Sequence, residues 1–361
     1  MFKKIALTIG MVSVPLFAEV GLQQKIGQML MVGFHGTTAT PKSQICQDIR
    51  RYHLGGVILF DYNPVDRSKP KNIANKRQLR LLTQQLQACS YDGKLLISVD
   101  QEGGRVQRLK SKYGFYGKFP KASEVAKMNQ NQIAQTYLQM SKELKGVGIN
   151  YDLAPVVDLD INPRNHVIHG LGRSFGKSPK VVASYASTFI DAMHHYGVLT
   201  ALKHFPGHGS SVGDTHRGFV DVTHLWQEKE LEPYRLLNQK ADTVMVAHVF
   251  NKRLDSSYPA TLSKKTVNGL LRKKLGFNGV VITDDLQMGA ISKKYGLKQT
   301  LKLAIGAGDD LLLFGNQLDP RNVVKVATLV ETIEALVKSN EVSKESIVQA
   351  YKRMQRLKRK L

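Results

Sequence analysis

Short apolar runs recur along the whole chain, and stretches with helical spacing of apolar residues lie between them. Runs of this kind that alternate with helices predict parallel strands joined by crossover connections. Eight runs within about 300 residues favour a closed (β/α)8 TIM-type barrel, with a doubly wound open sheet as the alternative. The runs are MLMVGF (29–34), GGVILF (55–60), LLISVD (95–100), INYDLAPV (149–156), VLTALKHF (198–205), TVMVAHV (243–249), GVVITDD (279–285) and DDLLLF (309–314).

Chemically active side chains stand at or just past the ends of these runs. They are Asp100, Asp158, Lys203, His204, His248 and Asp284. Enzymes built on such a barrel draw their sites from the carboxyl ends of several strands. The sequence therefore predicts one site assembled from residues far apart in the chain.

The end of the chain leaves too little sequence after the eighth run for a second domain, so we expect residues 19–361 to form a single barrel domain. The last segment, SKESIVQAYKRMQRLKRKL, places apolar residues three or four apart. This spacing predicts one apolar helix face, on a helix that lies on the outside of the barrel. The residues of that face are Ile347, Tyr351, Met354, Leu357 and Leu361.

The first 18 residues have the layout of a secretory signal peptide. Lys3 and Lys4 precede an uncharged, mostly apolar run that ends at Ala18, and signal-peptide cleavage is expected after this residue. This run is shorter than the roughly 20 apolar residues that a membrane span needs, and no other run approaches that length. We predict an exported protein, periplasmic or extracellular, with no membrane span after cleavage. The alternatives are a retained anchor or a buried helix, and a cytoplasmic protein if the segment is not a signal.

The chain is strongly basic, with a formal net charge of +23. Such an excess attracts polyanions, including nucleic acid, anionic membranes and acidic cell-wall polymers. The cations are scattered, however, and no zinc finger, helix-turn-helix spacing or aromatic RNA-binding pattern accompanies them. This distribution favours solvated helix faces and predicts no nucleic-acid partner. The two cysteines, Cys46 and Cys89, can form one disulfide or remain two buried thiols, and the sequence leaves both open.

The stretch KHFPGHGSSVGDTH, residues 203–216, is unusually rich in histidine and glycine. A metal site is disfavoured because the sequence between His204 and His208 breaks a helix, so the two rings are not aligned by helical spacing. A phosphate-binding loop is disfavoured because the glycines lack P-loop spacing. The third interpretation is acid–base chemistry. Asp214 lies two residues before His216, so a turn can bring its carboxylate to one imidazole nitrogen and support the imidazolium.

A second motif carries carboxylates that can act together with the Asp214–His216 pair. The strand in GFNGVVITDDLQMGAI ends in Asp284 and Asp285, and a carboxylate in such a place can act as a nucleophile. Retaining glycosidases place one nucleophilic carboxylate and one acid/base group across the scissile bond. Here a histidine would replace the second carboxyl group.

Five motifs together resemble the bacterial β-N-acetylglucosaminidase (NagZ-like) branch of family 3 glycoside hydrolases. The resemblance spans roughly residues 22–315 and includes the motifs in the family's order. They are DQEGGRVQRL, GRSFG, KHFPGHG followed after four residues by DTH, VMVAHV and ITDDLQMGAI.

The resemblance implies Asp284 as the nucleophile, His216 as the general acid/base and Asp214 as its orienting partner, with Asp285 supporting the loop. It also implies a set of residues that bind the terminal sugar: Asp100, Arg108, Arg173, Lys203 and His204. Carboxylate acceptors and cationic donors suit the hydroxyl groups of a sugar. Three further residues have structural alternatives that the sequence leaves open: His248 as a satisfied core histidine, His208 as a residue of loop geometry and Asp158 as a turn residue.

The resemblance further implies a double displacement that needs no metal and no organic cofactor. The expected substrate is an amino-sugar fragment of peptidoglycan, cut after its nonreducing N-acetylglucosamine, and the expected state is a monomer. Three alternatives remain open at this point: a β-glucosidase or broad β-hexosaminidase, a phosphorylase on the same scaffold, and a noncatalytic wall-glycan binding module.

Overall fold

Each of the eight apolar runs forms a parallel strand of a barrel. The computed structural model describes residues 20–361, so the predicted signal peptide, residues 1–18, lies outside the described residues. The strands within that range are β1 (Leu30–Gly33), β2 (Gly56–Ile58), β3 (Leu96–Val99), β4 (Tyr151–Asp152), β5 (Leu199–Phe205), β6 (Val220–Asp221), β7 (Thr243–Val246), β8 (Val249–Phe250), β9 (Val280–Thr283) and β10 (Leu312–Phe314).

The barrel strands follow the order β10-β1-β2-β3-β4-β5-β7-β9. A parallel bridge between Ile282 and Leu311 joins the two ends of this sheet, so the sheet nearly closes on itself. The predicted barrel is therefore confirmed. Its strands are buried along both faces, which explains why they appear in the sequence as continuous apolar runs rather than as alternating patterns. The sequence did not predict β6 and β8, which pair with each other as a small separate sheet.

Helices lie before, between and after the strands in the described part of the chain. They are α1 (Leu22–Gln28), α2 (Gln44–Tyr52), α3 (Lys76–Cys89), α4 (Ala122–Val125), α5 (Gln130–Gly146), α6 (Pro179–His195), α7 (Glu232–Leu237), α8 (Gly289–Ser292), α9 (Leu297–Ala307), α10 (Val326–Lys338) and α11 (Lys344–Lys358), with a π-helical segment at Lys265–Lys274. Local signals start several of them: Asn129 and Gln132 form a capping box before α5, and Pro179 begins α6. None of the described helices is long and apolar enough to cross a membrane.

Helix α11 differs from its predicted position. The helix exists with the expected apolar face, but it lies across the amino-terminal ends of the strands instead of on the outer ring. Met354 and Leu357 pack into the same buried cluster as the strand residue Val280. Ion pairs hold the carboxyl-terminal part of the helix, because Arg353 and, just past the helix, Lys360 bind the aspartates that precede β10 and β7, at 3.0 Å and 2.7 Å. The apolar face is needed there because the barrel interior would otherwise open to water.

The two cysteines are joined. Cys46 on α2 and Cys89 on α3 form a disulfide with a Cα–Cα distance of 5.3 Å, and both residues are buried. The bond ties together two helices whose cysteines are 43 residues apart in sequence. Disulfides of this structural kind persist in oxidising compartments.

Candidate active site

A cavity of about 670 Å³ opens at the carboxyl-terminal ends of the strands. Parallel strands of a barrel end at the same rim, so residues distant in sequence meet there. All eight predicted site residues line this cavity: Asp100, Arg108, Arg173, Lys203, His204, Asp214, His216 and Asp284. The structure therefore brings together the whole predicted set, and their chemical roles remain predictions.

A charged cluster forms one wall of the cavity. Asp100, directly after β3, accepts hydrogen bonds from Arg108 Nη2 and Lys203 Nζ, both at 3.0 Å. Burial by itself raises the pKa of Asp100, but the charges of Lys203 and Arg108 outweigh it, and the pKa lies well below its ordinary value. Asp100 is therefore ionised and can accept hydrogen bonds from sugar hydroxyl groups.

Glu102 organises the same wall, and sequence reasoning missed it. Its carboxylate accepts two hydrogen bonds from Arg173, from Nε and Nη2, each at 2.8 Å. It also lies 2.7 Å from Lys203 Nζ. Burial acts to raise the pKa of Glu102, but these two cations lower it to about 2. Glu102 thus holds Arg173 and Lys203 side by side and compensates their charges.

Asp158 positions the imidazole of His204. The aspartate is buried just past the end of the fourth apolar run and accepts a hydrogen bond from His204 Nδ1 at 2.7 Å. It also accepts from the backbone N–H groups of His204 and His208, at 3.2 Å and 2.7 Å. The other ring nitrogen of His204, Nε2, then lies on the side of Arg173, 3.4 Å from its Nη2. Asp158 is therefore more than a turn residue, the alternative that the sequence left open.

His208 makes a buried hydrogen bond within the loop that follows β5. The residue is buried, and its Nδ1 lies 2.7 Å from the hydroxyl group of Ser211. Burial, together with the nearby charge of His204, lowers the pKa of His208 to about 4. His208 is therefore a neutral ring near neutral pH, which suits a structural hydrogen bond.

Asp284 and Asp285 are adjacent in the sequence, yet their environments shift their pKa values in opposite directions. Burial raises the pKa of Asp284, but His248, His204 and His216 outweigh it, so the pKa falls below its ordinary value. Burial raises the pKa of Asp285 to about 6, and its carboxylate accepts from the backbone N–H groups of Gln287 and Gly315 at 3.0 Å and 3.2 Å. Asp284 is thus the ionised carboxylate that suits a nucleophile, and Asp285 ties the loop to the end of β10.

His248 is fully buried and contacts the backbone of the aspartate pair. Its Nε2 lies 2.9 Å from the backbone carbonyl oxygen of Asp285, and its Nδ1 lies 2.8 Å from the Thr261 hydroxyl oxygen. Of the three histidines that lower the pKa of Asp284, His248 has the largest effect. The histidine in the VMVAHV run therefore holds the loop that carries both aspartates, in addition to filling the core.

The predicted dyad forms on a loop that borders the cavity. We define the dyad loop as residues 212–219. His216 Nδ1 lies 2.8 Å from Asp214 Oδ1, and the same oxygen accepts the His216 backbone N–H at 3.0 Å. Although burial acts to raise the pKa of Asp214, its bonds to His216 lower it below the ordinary value. The His216 side chain is 54% exposed, and Nδ1 is engaged, so Nε2 is the nitrogen available for proton transfer.

Comparisons with known proteins identify the family of this chain. The family model described as the glycosyl hydrolase family 3 N terminal domain matches residues 21–357. The chain belongs to glycosyl hydrolase family 3. It is 31% identical over 379 residues to Beta-hexosaminidase A of Pseudoalteromonas piscicida, a match that covers 94% of this chain and 61% of that protein. It is 35% identical over 305 residues to Beta-hexosaminidase LpqI of Mycobacterium tuberculosis, covering 81% of this chain and 72% of that protein.

A solved family 3 structure has the same fold. A glycoside hydrolase family 3 β-N-acetylglucosaminidase from Paenibacillus superposes with a TM-score of 0.84 at 33% identity. The superposition covers 94% of this chain and 62% of that one. The chain therefore spans less than two thirds of the length of the Paenibacillus and Pseudoalteromonas proteins.

A buried glutamate near the site makes stability depend on pH. Glu230 is 1% exposed and accepts from the backbone N–H groups of Gln227 and Ser210, at 3.1 Å and 3.3 Å. Burial raises its pKa from 4.5 to about 7. The folded chain therefore holds the proton of the Glu230 carboxyl group more tightly than the unfolded chain does. Its contribution to the free energy of unfolding is complete below pH 4.5 and is lost as pH rises through 7.

Glu230→Gln should therefore flatten the pH dependence of stability. We expect the free energy of unfolding of the parent to lose about 3 kcal/mol from this group as pH rises through the interval between the two pKa values, and the variant to lack that loss. Urea unfolding at pH 5 and pH 8 measures it. The matched control is Glu228→Gln, because the Glu228 side chain is 66% exposed. This variant should keep the parent's dependence of the free energy of unfolding on pH. If the free energy of unfolding of Glu230→Gln depends on pH as that of the parent does, the raised pKa of Glu230 is contradicted.

Proposed function

We propose that this chain is a retaining exo-β-N-acetylglucosaminidase that cleaves the β-1,4 bond after a nonreducing terminal N-acetylglucosamine. One observation carries the proposal: an ionised Asp284 and the Asp214–His216 pair line the same cavity as the charged wall around Asp100. A nucleophilic carboxylate and a separate acid/base group are what a double displacement at an anomeric carbon requires. The family 3 relatives are named β-hexosaminidases and a β-N-acetylglucosaminidase, which supports this activity.

The first step forms a covalent glycosyl–enzyme. A carboxylate oxygen of Asp284 attacks the anomeric carbon while His216 Nε2–H donates its proton to the departing glycosidic oxygen. The carbon–oxygen bond to the leaving group breaks as the bond to Asp284 forms. Asp214 holds the Nδ1–H of His216 and stabilises the imidazolium before its proton leaves.

The second step releases the sugar. The neutral His216 now accepts a proton from a water molecule, which attacks the anomeric carbon and displaces Asp284. Two displacements on one carbon return the β configuration to the product. Asp284 is again ionised and His216 again protonated, so the site is ready for another turnover.

The charged wall is proposed to hold the terminal sugar. Asp100 accepts from hydroxyl groups, and Arg108, Arg173 and Lys203 donate to the remaining oxygens. His204, oriented by its bond to Asp158, presents Nε2 beside Arg173. Because Asp100 and Glu102 offset the cations, the wall can present donors and acceptors without a large uncompensated charge.

We propose muropeptide fragments as the natural substrate, with a muramic-acid-type sugar as the leaving group. The net charge of +23 favours encounter with such acidic fragments. An exported location, periplasmic or extracellular, is proposed with it, and the disulfide between Cys46 and Cys89 supports an oxidising compartment. Under this proposal the enzyme acts in peptidoglycan recycling or in cell-wall turnover.

Hydrolysis of two nitrophenyl β-sugars tests the activity. We expect turnover of the N-acetylglucosaminide at least about 100-fold above that of the glucoside, because a site that hydrogen-bonds a substrate group discriminates strongly against its absence. Proton NMR should show the β anomer as the first product. Preferred glucoside turnover would redirect the substrate assignment, and an α product would exclude double displacement. Sugar 1-phosphate formed in phosphate buffer would indicate a phosphorylase, and no turnover of either sugar would favour a binding module.

A further inference from the structure

The dyad loop is docked on a segment that follows the nucleophile in the chain. This segment, residues 289–294, comprises α8 and the two residues after it. The backbone N–H of Gly289 donates to the carbonyl oxygen of His216 at 3.2 Å, and that of Ala290 donates to the carbonyl oxygen of Thr215 at 3.1 Å. Both acceptors belong to the DTH motif, so the bonds act directly on the backbone that carries the acid/base side chain.

Two side chains of the same segment hold the rest of the loop. Lys293 Nζ donates to the carbonyl oxygen of Arg217 at 2.8 Å. Lys294 Nζ lies over the ring of Phe219, 5.2 Å from its centroid, in the geometry of a cation–π contact. The 289–294 segment therefore holds the dyad loop through backbone and side-chain contacts spread from Thr215 to Phe219.

Gly289 permits the close approach. A Cβ atom at this position would lie 2.9 Å from the carbonyl carbon and oxygen of Arg217 and 3.0 Å from the carbonyl oxygen of His216. These neighbours are backbone atoms, so a side chain at position 289 would have to displace the loop itself. Gly289 begins α8, so it is needed there for space and not for an unusual backbone conformation.

We propose that the 289–294 segment is the seat that places His216 relative to Asp284, with Gly289 as a positioning residue for general acid catalysis. The inference rests on the proposed acid/base role of His216 and extends it. Asp284 precedes Gly289 by only five residues, so the stretch that carries the nucleophile runs directly into the seat that holds the acid/base. The spacing between the two catalytic groups is then set by one short stretch of backbone.

Gly289→Ala tests the seat. We expect kcat/KM for a substrate with a poor leaving group, such as a methyl β-N-acetylglucosaminide or a disaccharide, to fall about tenfold or more, within the roughly 10²–10⁴-fold contribution of general acid catalysis. For a dinitrophenyl glycoside, which departs with little protonation, kcat/KM should change by less than about threefold. A general loss of folded structure would lower both values equally, so the ratio between substrates separates positioning from damage.

Hydrogen exchange supplies a readout that does not depend on catalysis. In Gly289→Ala, peptides covering residues 212–219 and 286–294 should exchange their amide hydrogens faster, because the bonds between them are broken. The matched control is Gly296→Ala, since no atom lies within 4 Å of a Cβ at Gly296. That variant should leave both the exchange and the substrate ratio unchanged.

Lys293→Met is the second variant, because Lys293 is exposed and its loss should not impair folding. It should shift the substrate ratio in the same direction by a smaller factor, and Lys293→Arg should restore it. Faster exchange with an unchanged ratio in both Gly289→Ala and Lys293→Met would overturn the proposal, as would no change in exchange. If His216→Ala itself shows no dependence on the leaving group, the acid/base assignment fails, and the exchange data still report whether the seat holds the loop.

Discussion

Asp284→Asn should abolish hydrolysis, lowering kcat/KM for the nitrophenyl N-acetylglucosaminide by about 10⁴-fold or more. The amide has nearly the size of the carboxylate, and its oxygen can still accept the Asp285 backbone N–H that now binds Asp284 Oδ1 at 2.8 Å. The fold should therefore survive while the nucleophile is lost. Steady-state kinetics measure the effect, and thermal unfolding checks that the variant is folded.

A matched surface variant makes the result specific. Asp191→Asn changes an aspartate on α6 whose side chain is 64% exposed, and it should retain normal turnover. A slowly turned over fluorinated N-acetylglucosaminide should, in the parent protein, leave a sugar adduct on the peptide that contains Asp284. Near-normal hydrolysis by Asp284→Asn, or an adduct on another peptide, would show that the nucleophile is misassigned.

His216→Ala should impair substrates according to their leaving groups. We expect kcat/KM to fall by about 10²–10⁴-fold for substrates with poor leaving groups, which require a proton from His216. The loss should be much smaller for nitrophenyl glycosides and smallest for the dinitrophenyl glycoside. Plotting log kcat/KM against the pKa of the leaving group should give a steeper line for the variant than for the parent.

The histidine prediction also has an internal control. His195→Ala removes an exposed histidine at the end of α6 and should not change the dependence on the leaving group. Azide should accelerate turnover of nitrophenyl glycosides by His216→Ala and form a glycosyl azide, because this small anion needs no general base. Equal loss on all substrates, without azide rescue, would indicate a structural role for His216.

The candidate site was largely predictable because two signals coincide in the sequence. Apolar runs mark the strands, and the carboxyl end of each parallel strand faces one rim, so Asp100, Lys203 and Asp284 were expected to meet. The Asp214–His216 pair was predictable for a different reason, since residues two apart meet through local backbone geometry. The family resemblance added Arg108 and Arg173 and suggested which role each residue has, and those roles stay predictions until the variants are measured.

Other features were missed because they depend on contacts between distant parts of the chain. In the sequence Glu102 is one letter of a motif, and its partner Arg173 lies 71 residues away. Asp158 is compatible with a turn residue in the sequence, and its role follows only from the contact with His204, 46 residues on. Helix α11 was correctly predicted as amphipathic, but periodicity reports that a face is buried and not which surface buries it.

The sequence by itself determined the barrel and the Asp214–His216 pair. Strands buried on both faces require continuous apolar runs, and short-range geometry follows from short-range sequence. Tertiary structure decided the pairing of Cys46 with Cys89 and the difference between Asp284 and Asp285. Adjacent aspartates are equivalent as letters, but a pKa depends on burial and on charges brought from other strands, and those are set when the whole barrel has closed.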